Sequence, residues 1–330
     1  MSANISIFVP HMGCPHRCSF CDQTAITGQK ELPTAKTVKS TVEKGLRYIK
    51  DPASAEIAFF GGSFTAIDRD YMLELLSAAK PFVEQGSVRG IRISTRPDAI
   101  DEEILGILKQ NRVCAIELGA QSMDDGVLCA NLRGHTAMQV EKASALIKQK
   151  GFELGLQMMT GLYKSSRSAD ITTAKKIAGL CPKTVRIYPA ITLEHTLLCR
   201  LFLAGEYVPP SLEETVDLCA DLLEFFEKRD IKVIKLGLHS SADVEKSYVA
   251  GPYHPAFREL CEGKIYLENA KKAINRQKGS FTLFVNPKEI SKMTGQSKKN
   301  LAELEKIGCL CKIKPRSDLE KYQVAVQKEQ

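Results

Sequence analysis

The stretch "ISIFVPHMGCPHRCSFC", Ile5 to Cys21, holds the two signals that decide the fold. It opens as a short apolar run of strand length. It then turns at a glycine into three cysteines spaced Cys-x3-Cys-x2-Cys: Cys14, Cys18 and Cys21. A strand that delivers thiols at its C-terminal end suggests a parallel sheet with its chemistry at that end. The rest of the chain repeats the first half of this pattern. The runs "EIAFFGG", "GIRIST", "CAIELGAQ", "ELGLQMM", "TVRIYPA" and "IKVIKLGL" read as further strands. Amphipathic segments such as "TAKTVKSTVEKGLRYIK" and "SLEETVDLCADLLEFFEKR" read as the helices between them. Near-continuous apolar strands separated by helices form parallel sheets covered by helices. The expected fold class is therefore α/β: a partial or closed parallel (β/α) barrel of six or seven units over residues 1–265.

The distinctive residues cluster where these strands end. Gly61, Gly62 and Ser63 close the second strand, and Ser94 the third. Gln121 closes the fourth, and Gln157 stands near the end of the fifth. Polar residues and glycines gathered at one end of a parallel barrel argue for a site there.

At 330 residues, 44% hydrophobic and 26% charged, the chain has ordinary globular composition. Its start has no basic segment of the signal-peptide kind, and no apolar run is long enough to span a membrane. A soluble cytoplasmic protein is expected, with no membrane partner. The cysteines outside the trio are scattered, and reduced core thiols are the natural reading for them. The net charge of +7 is unevenly spread. Residues 270–330 carry fourteen Lys and Arg against six Asp and Glu, a balance of +8, so the remainder sums to −1. This marks residues 266–330 as a second, basic unit and suggests a polyanion as partner.

Structural zinc usually takes four ligands, often as two Cys-x2-Cys pairs, and a redox pair needs only two thiols. Three thiolates suit a [4Fe–4S] cluster with one iron left without a protein ligand. The trio, with Phe20 before its last cysteine, resembles the radical S-adenosylmethionine superfamily. That resemblance implies a [4Fe–4S] cluster on Cys14, Cys18 and Cys21. The open iron would chelate S-adenosylmethionine, whose reductive cleavage yields a 5′-deoxyadenosyl radical. A low-potential electron donor such as flavodoxin or ferredoxin is implied with it. Gly61, Gly62 and Ser63 would meet the cofactor's amino end. Arg133, in "NLRGHT", would grip its carboxylate. Ser94, Gln121 and Gln157 would face its ribose and sulfonium. Ser94 and Gln157 depart from acidic residues frequent at those places. His16, His135, His239 and His254 are read as structural rather than as ligands.

The segments "FFGGSFTAI", "STRPDAI", "IELGAQSMDDGVL", "LRGHT", "VRIYPAITLEHTLL" and "GPYHPAFREL" narrow the resemblance. From about Ile5 to Glu262 the chain is similar to the radical domain of the Elongator catalytic subunit and its bacterial relatives. This implies an RNA substrate, tRNA or rRNA. The cysteine loop is shorter than usual there, and about 65 residues follow the barrel, too few for an acetyltransferase domain. The tail reads strand, helix, basic turn, helix, strand, strand. It looks like a degenerate KH-type element, α+β, whose turn "TGQSKKN" would bring Lys292, Lys298 and Lys299 to a nucleic-acid backbone. Two alternatives stay open: a radical enzyme acting on a small tetrapyrrole-like substrate, and a module that uses the cluster to sense redox state or iron.

Overall fold

The computed structural model describes residues 4–10, 17–22 and 31–329. Cys14 and His16 lie outside the described residues. The main sheet contains β1 (Asn4–Val9), β2 (Glu56–Gly61), β3 (Gly90–Thr95), β4 (Val113–Gln121), β5 (Glu153–Thr160) and β6 (Thr184–Pro189). A two-residue strand, β7 (Thr192–Leu193), comes before the last member, β8 (Lys232–Leu236). Neighbours run β1-β2-β3-β4-β5-β6-β8, every pair parallel. β1 and β8 stand at opposite edges, so the barrel is a half-barrel, open on one side.

Strand alternation sorts the residues. Ile57, Phe59, Ile91, Ile93, Ile116, Leu118, Leu154, Leu156, Val185 and Ile187 face the helices and form the main core. Their neighbours Glu56, Arg92, Ser94, Glu117, Gln157 and Arg186 occupy the other, inner face. A half-barrel with a charged inner face explains why the strands are not apolar throughout.

The covering helices start at side-chain caps. Ser211 and Glu214 form a capping box at the head of helix Leu212–Glu227, and Thr136 and Gln139 form one for Ala137–Gln149. The first buries Leu218, Cys219, Leu222 and Phe226 against β8 and its neighbours.

After a short strand β9 (Tyr248–Ala250), helix Phe257–Ile274 leads into the tail. There β10 (Gly279–Val285), helices Ile290–Thr294 and Lys299–Lys306, β11 (Cys309–Pro315) and β12 (Ala325–Lys328) follow in the order read from the sequence. The tail sheet is ordered β11-β10-β12. Phe281, Leu283, Met293, Leu304 and Cys309 pack with Tyr266 in a second core. The expected division between residues 265 and 266 falls inside helix Phe257–Ile274. Cys261 and Ile265 of that helix belong to the first core, and Tyr266, Leu267 and Ala270 to the second. One helix thus fastens the tail to the half-barrel. No helix among the described residues is long and apolar enough to cross a membrane.

Candidate active site

Cys18 and Cys21 sit on a tight turn in which the Cys21 N–H donates to the Cys18 carbonyl at 3.1 Å. Asn131, fully buried, holds the turn in place. Its carbonyl oxygen accepts from the Ser19 N–H at 3.1 Å, and its Oδ1 accepts from Ser19 Oγ at 2.6 Å. Its side-chain amide donates in turn to the Val127 and Tyr163 carbonyls, both at 2.8 Å. Nothing in the sequence pattern singled out Asn131. The available signal was a lone Asn just after a short helix, next to the LRGHT motif.

β1 and β2 meet at the glycine turn. Gly61 pairs with Val9 at a φ of +119°, and a Cβ there would stand 2.5 Å from the Val9 carbonyl oxygen. Only glycine takes that backbone at that approach. The Gly62 N–H donates to the same oxygen at 3.0 Å. The hydroxyl of Ser63 is taken up within the protein: it bonds Thr95 Oγ1 at 2.8 Å and accepts from the Arg96 N–H at 3.2 Å. Its structural work is to tie the end of β2 to the end of β3.

Arg133 is buried, with Nη1 donating to Cys18 Sγ at 3.0 Å and Nη2 to the Gly119 carbonyl at 2.7 Å. Gly119 makes room for this: a Cβ there would lie 3.0 Å from Gln121 Nε2 and 3.3 Å from Arg133 Nη2. Gln121 itself adopts a left-handed φ of +63°, where β4 bulges against β5. A non-glycine residue pays for that conformation, and such strain concentrates at functional sites. Arg96 supports Arg133 from behind, donating to its carbonyl at 2.7 Å while a two-bonded pair with Asp98 holds Arg96. His135, bonded to the Ala120 carbonyl, is pushed down to about 4 by burial and by Arg133, so it stays neutral as a strut.

These pieces enclose one cavity of about 250 Å³ at the C-terminal ends of the strands. Phe20, Gly61, Gly62, Ser63, Ser94, Gln121, Arg133 and Gln157 all line it, together with Cys18 and Cys21. Thr95 and Arg96 line it too, and the sequence reading had not singled them out. Phe20 closes one side against an apolar group that includes Val127, Met159 and Leu162. Gln157 faces inward and donates to Ser94 Oγ at 3.3 Å and to Glu117 Oε2 at 3.0 Å.

The cavity suits a polar, zwitterionic cofactor. Arg133 Nε, Gln121 Oε1 and Arg96 Nη1 are buried and have no hydrogen-bond partner among the described residues. Buried polar groups are seldom left so, and three on one cavity point to a ligand with donors and acceptors of its own. Two cysteine sulfurs on the same wall fit an iron–sulfur cluster.

In the tail, Lys298 and Lys299 are exposed on the turn between the two helices. Lys292, the third of the expected trio, is half-buried, with its ammonium paired to Glu262 and Glu289, each at 2.9 Å. Its pair with Glu262 fastens the tail to helix Phe257–Ile274.

Comparison with known proteins agrees with this geometry. The Radical SAM superfamily model matches residues 8–175, and the Radical_SAM C-terminal domain model matches residues 182–267. The tRNA uridine(34) acetyltransferase of Dehalococcoides mccartyi is 26% identical over 252 residues, which is 66% of this chain and 55% of that protein. Elongator complex protein 3 of Dictyostelium discoideum is 28% identical over 193 residues, 51% of this chain and 34% of that protein. The chain thus spans about half the length, or less, of these relatives. Among solved structures, the archaeal Methanocaldococcus infernus Elp3 with its N-terminus deleted matches with a TM-score of 0.64 at 21% identity. That match covers 82% of this chain and 63% of the other, and shows a shared fold. With half of its length matched by the family model, the chain belongs to the radical SAM superfamily, enzymes built on a [4Fe–4S] cluster and S-adenosylmethionine.

Proposed function

We propose that the chain modifies RNA, with tRNA the first candidate, by radical chemistry at the cavity beside Cys18 and Cys21. The observation that carries the reading is the convergence of Cys18, Cys21 and three unpartnered buried polar atoms, one of them on Arg133, on that one cavity. When bound, cluster and cofactor supply an organic radical that removes a hydrogen atom from a substrate carbon. The chain's own residues hold, orient and exclude water. Cys14, Cys18 and Cys21 would hold the cluster. Gly61 and Gly62 would admit the cofactor's amino end, Arg133 would offer Nε to its carboxylate, and Ser94, Gln121 and Gln157 would meet its ribose and sulfonium. Phe20 screens the site from solvent. A low-potential electron donor of the flavodoxin or ferredoxin kind is the redox partner this requires.

Replacing Arg133 with Ala should weaken S-adenosylmethionine binding by about 1.5–3 kcal/mol, the scale of a charge-assisted hydrogen bond. Equilibrium binding to the reconstituted chain measures it, with iron content as control because Arg133 also touches Cys18. Unchanged binding with a full cluster would remove Arg133 from the cofactor site.

The RNA substrate is supported by what the relatives are called and by the tail's charge. Ser297 and Lys298 both take left-handed backbone, at φ +51° and +62°, and this lifts Lys298 and Lys299 on an exposed turn. If each meets a phosphate, the log–log salt dependence of tRNA binding should flatten by about 1.4 when both become Gln, at roughly 0.7 per single-strand contact. Gel-shift titration at several salt concentrations reads this; an unchanged slope would clear the turn of any phosphate contact. The deciding experiment for the reading as a whole compares tRNA and rRNA nucleosides by mass spectrometry from cells with and without the chain. A nucleoside that disappears with the chain names the product. Unaltered RNA, together with no affinity for tRNA, would favour a small-molecule substrate.

A further inference from the structure

The inner face of the half-barrel is charged, and its charges almost cancel. Glu56 accepts from Arg92 at 2.6 Å and from Arg89 at 3.1 Å. Glu153 accepts from the same two arginines, each at 2.9 Å. Glu117 accepts from Arg186 through both oxygens, at 2.6 and 3.0 Å. Three carboxylates thus meet three guanidiniums. Lys235, on β8, is left over.

Its place is fixed by strand register. Gly119 on β4 pairs with Gln157 on β5, Gln157 with Arg186 on β6, and Arg186 with Lys235. Gly119 and Gln157 line the cavity. One row of side-by-side positions therefore runs from the cofactor cavity across the inner face to the open edge, and Lys235 ends it. With neighbouring strands about 4.8 Å apart, its backbone lies roughly 10 Å from that of Gln157.

Among the described residues Lys235 makes no ion pair and no hydrogen bond. The charged groups that act on it are Arg186 and Arg258, both cations, and burial together with these two pushes its pKa below the usual lysine range. Arg258 is itself committed, to Glu262 at 3.1 Å and to the Val233 carbonyl at 2.8 Å. Lys235 is half-buried. A half-buried cation beside two others, with no carboxylate, raises the energy of the empty site. An incoming anion lowers it.

We propose that Lys235, backed by the field of Arg186, binds the phosphate of the nucleotide that enters the half-barrel. This rests on the RNA reading of the same site. Enzymes that act on a nucleobase take the nucleotide out of its stack, and the phosphate travels with it. A lysine ammonium serves as a point-charge partner for phosphate, whereas Arg186 already spends its fork on Glu117. In this arrangement the base reaches toward the cavity at Gln157 and the phosphate remains toward the open edge. Lys235 does not line the cavity proposed for cluster and cofactor, so cofactor cleavage without substrate should not depend on it.

The test uses the full chain, reconstituted anaerobically. Amine acylation of Lys235, followed by peptide mass spectrometry, should be slowed by tRNA and by uridine monophosphate but not by uridine. Equal protection by acetate would overturn the phosphate assignment in favour of a general carboxylate site. Lys235→Gln should weaken tRNA binding several-fold and flatten its salt slope by about 0.7. Lys235→Arg should restore most of both. The melting temperature of Lys235→Gln should not fall, because the replacement removes repulsion and no contact. Wild-type tRNA binding with Lys235 labelled equally fast in its presence, or Lys235→Gln binding with unchanged affinity and slope, would overturn the proposal and leave the RNA reading standing. If the wild-type chain does not bind tRNA, the RNA reading falls, and protection by uridine monophosphate over uridine decides Lys235 alone.

Discussion

Replacing Cys18 with Ala should leave a chain that folds, binds no [4Fe–4S] cluster and releases no 5′-deoxyadenosine from S-adenosylmethionine under dithionite. The wild-type chain should hold about four irons after anaerobic reconstitution, as this cluster type requires. Cys18 lies nearly buried at the head of the cavity, with the Arg133 guanidinium 3.0 Å from its sulfur. The thiolate is the form of cysteine that binds iron. The turn around it is held by Ser19 and Asn131 and not by the Cys18 side chain, so the loss of one sulfur should spare the local fold. Cys219→Ala is the matched control. Its thiol is fully buried and pushed up to about 12 by that burial, so it is inert as a ligand and its loss should leave iron content unchanged. Iron and sulfide per chain, with visible absorption, read both variants. A Cys18→Ala chain that keeps a full cluster would break the assignment of the cysteine loop. Loss of iron in Cys219→Ala as well would mean that the assay reports folding and not ligation.

The strands were legible because each is a short apolar run, and the site because its residues stand at strand ends beside glycines and cysteines. Both signals are local. What the sequence did not display is what register creates. Arg186 and Glu117 are 69 residues apart, and Arg92 and Glu153 are 61 apart; each stands singly inside an apolar strand. The trace of their pairing was the single charge set among apolar residues in each of "GIRIST", "CAIELGAQ" and "TVRIYPA", which marks an inner face but not its partners. The ion pairs of Lys292 were hidden for the same reason. As sequence it is one more tail cation, and only the docking of the tail on helix Phe257–Ile274 brings Glu262 to it. The choice between open and closed barrel was also nonlocal, since it depends on whether the first and last strands meet.

Removing the carboxylate of Glu117 should cost about 3–5 kcal/mol of stability, the range for breaking one side of a buried ion pair. Glu117 is 1% exposed and is the sole carboxylate paired with Arg186 among the described residues. It also meets Arg92 at 3.4 Å and accepts from Gln157 at 3.0 Å. Glu117→Ala would leave the Arg186 charge without its anion, with the face of Phe60 at 4.6 Å and a side-chain hydrogen bond with Tyr188 as the remaining compensation. Arg92 is less affected, because Glu56 and Glu153 remain. The space around Glu117 is already shaped for it: a Cβ on Gly155 would stand 2.8 Å from its Cγ. Alanine therefore adds a cavity to the lost charge. The same variant frees Gln157, so S-adenosylmethionine binding should weaken as well, although Glu117 does not line the cavity. Denaturant unfolding of Glu117→Ala, Arg186→Met and the double variant separates the contributions. The double variant should recover much of the loss, because a buried pair replaced on both sides leaves no orphaned charge. A loss under about 1 kcal/mol for Glu117→Ala, the scale of an exposed pair, would show that water reaches the inner face freely. The charge balance that leaves Lys235 as the unpaired cation would then lose its meaning.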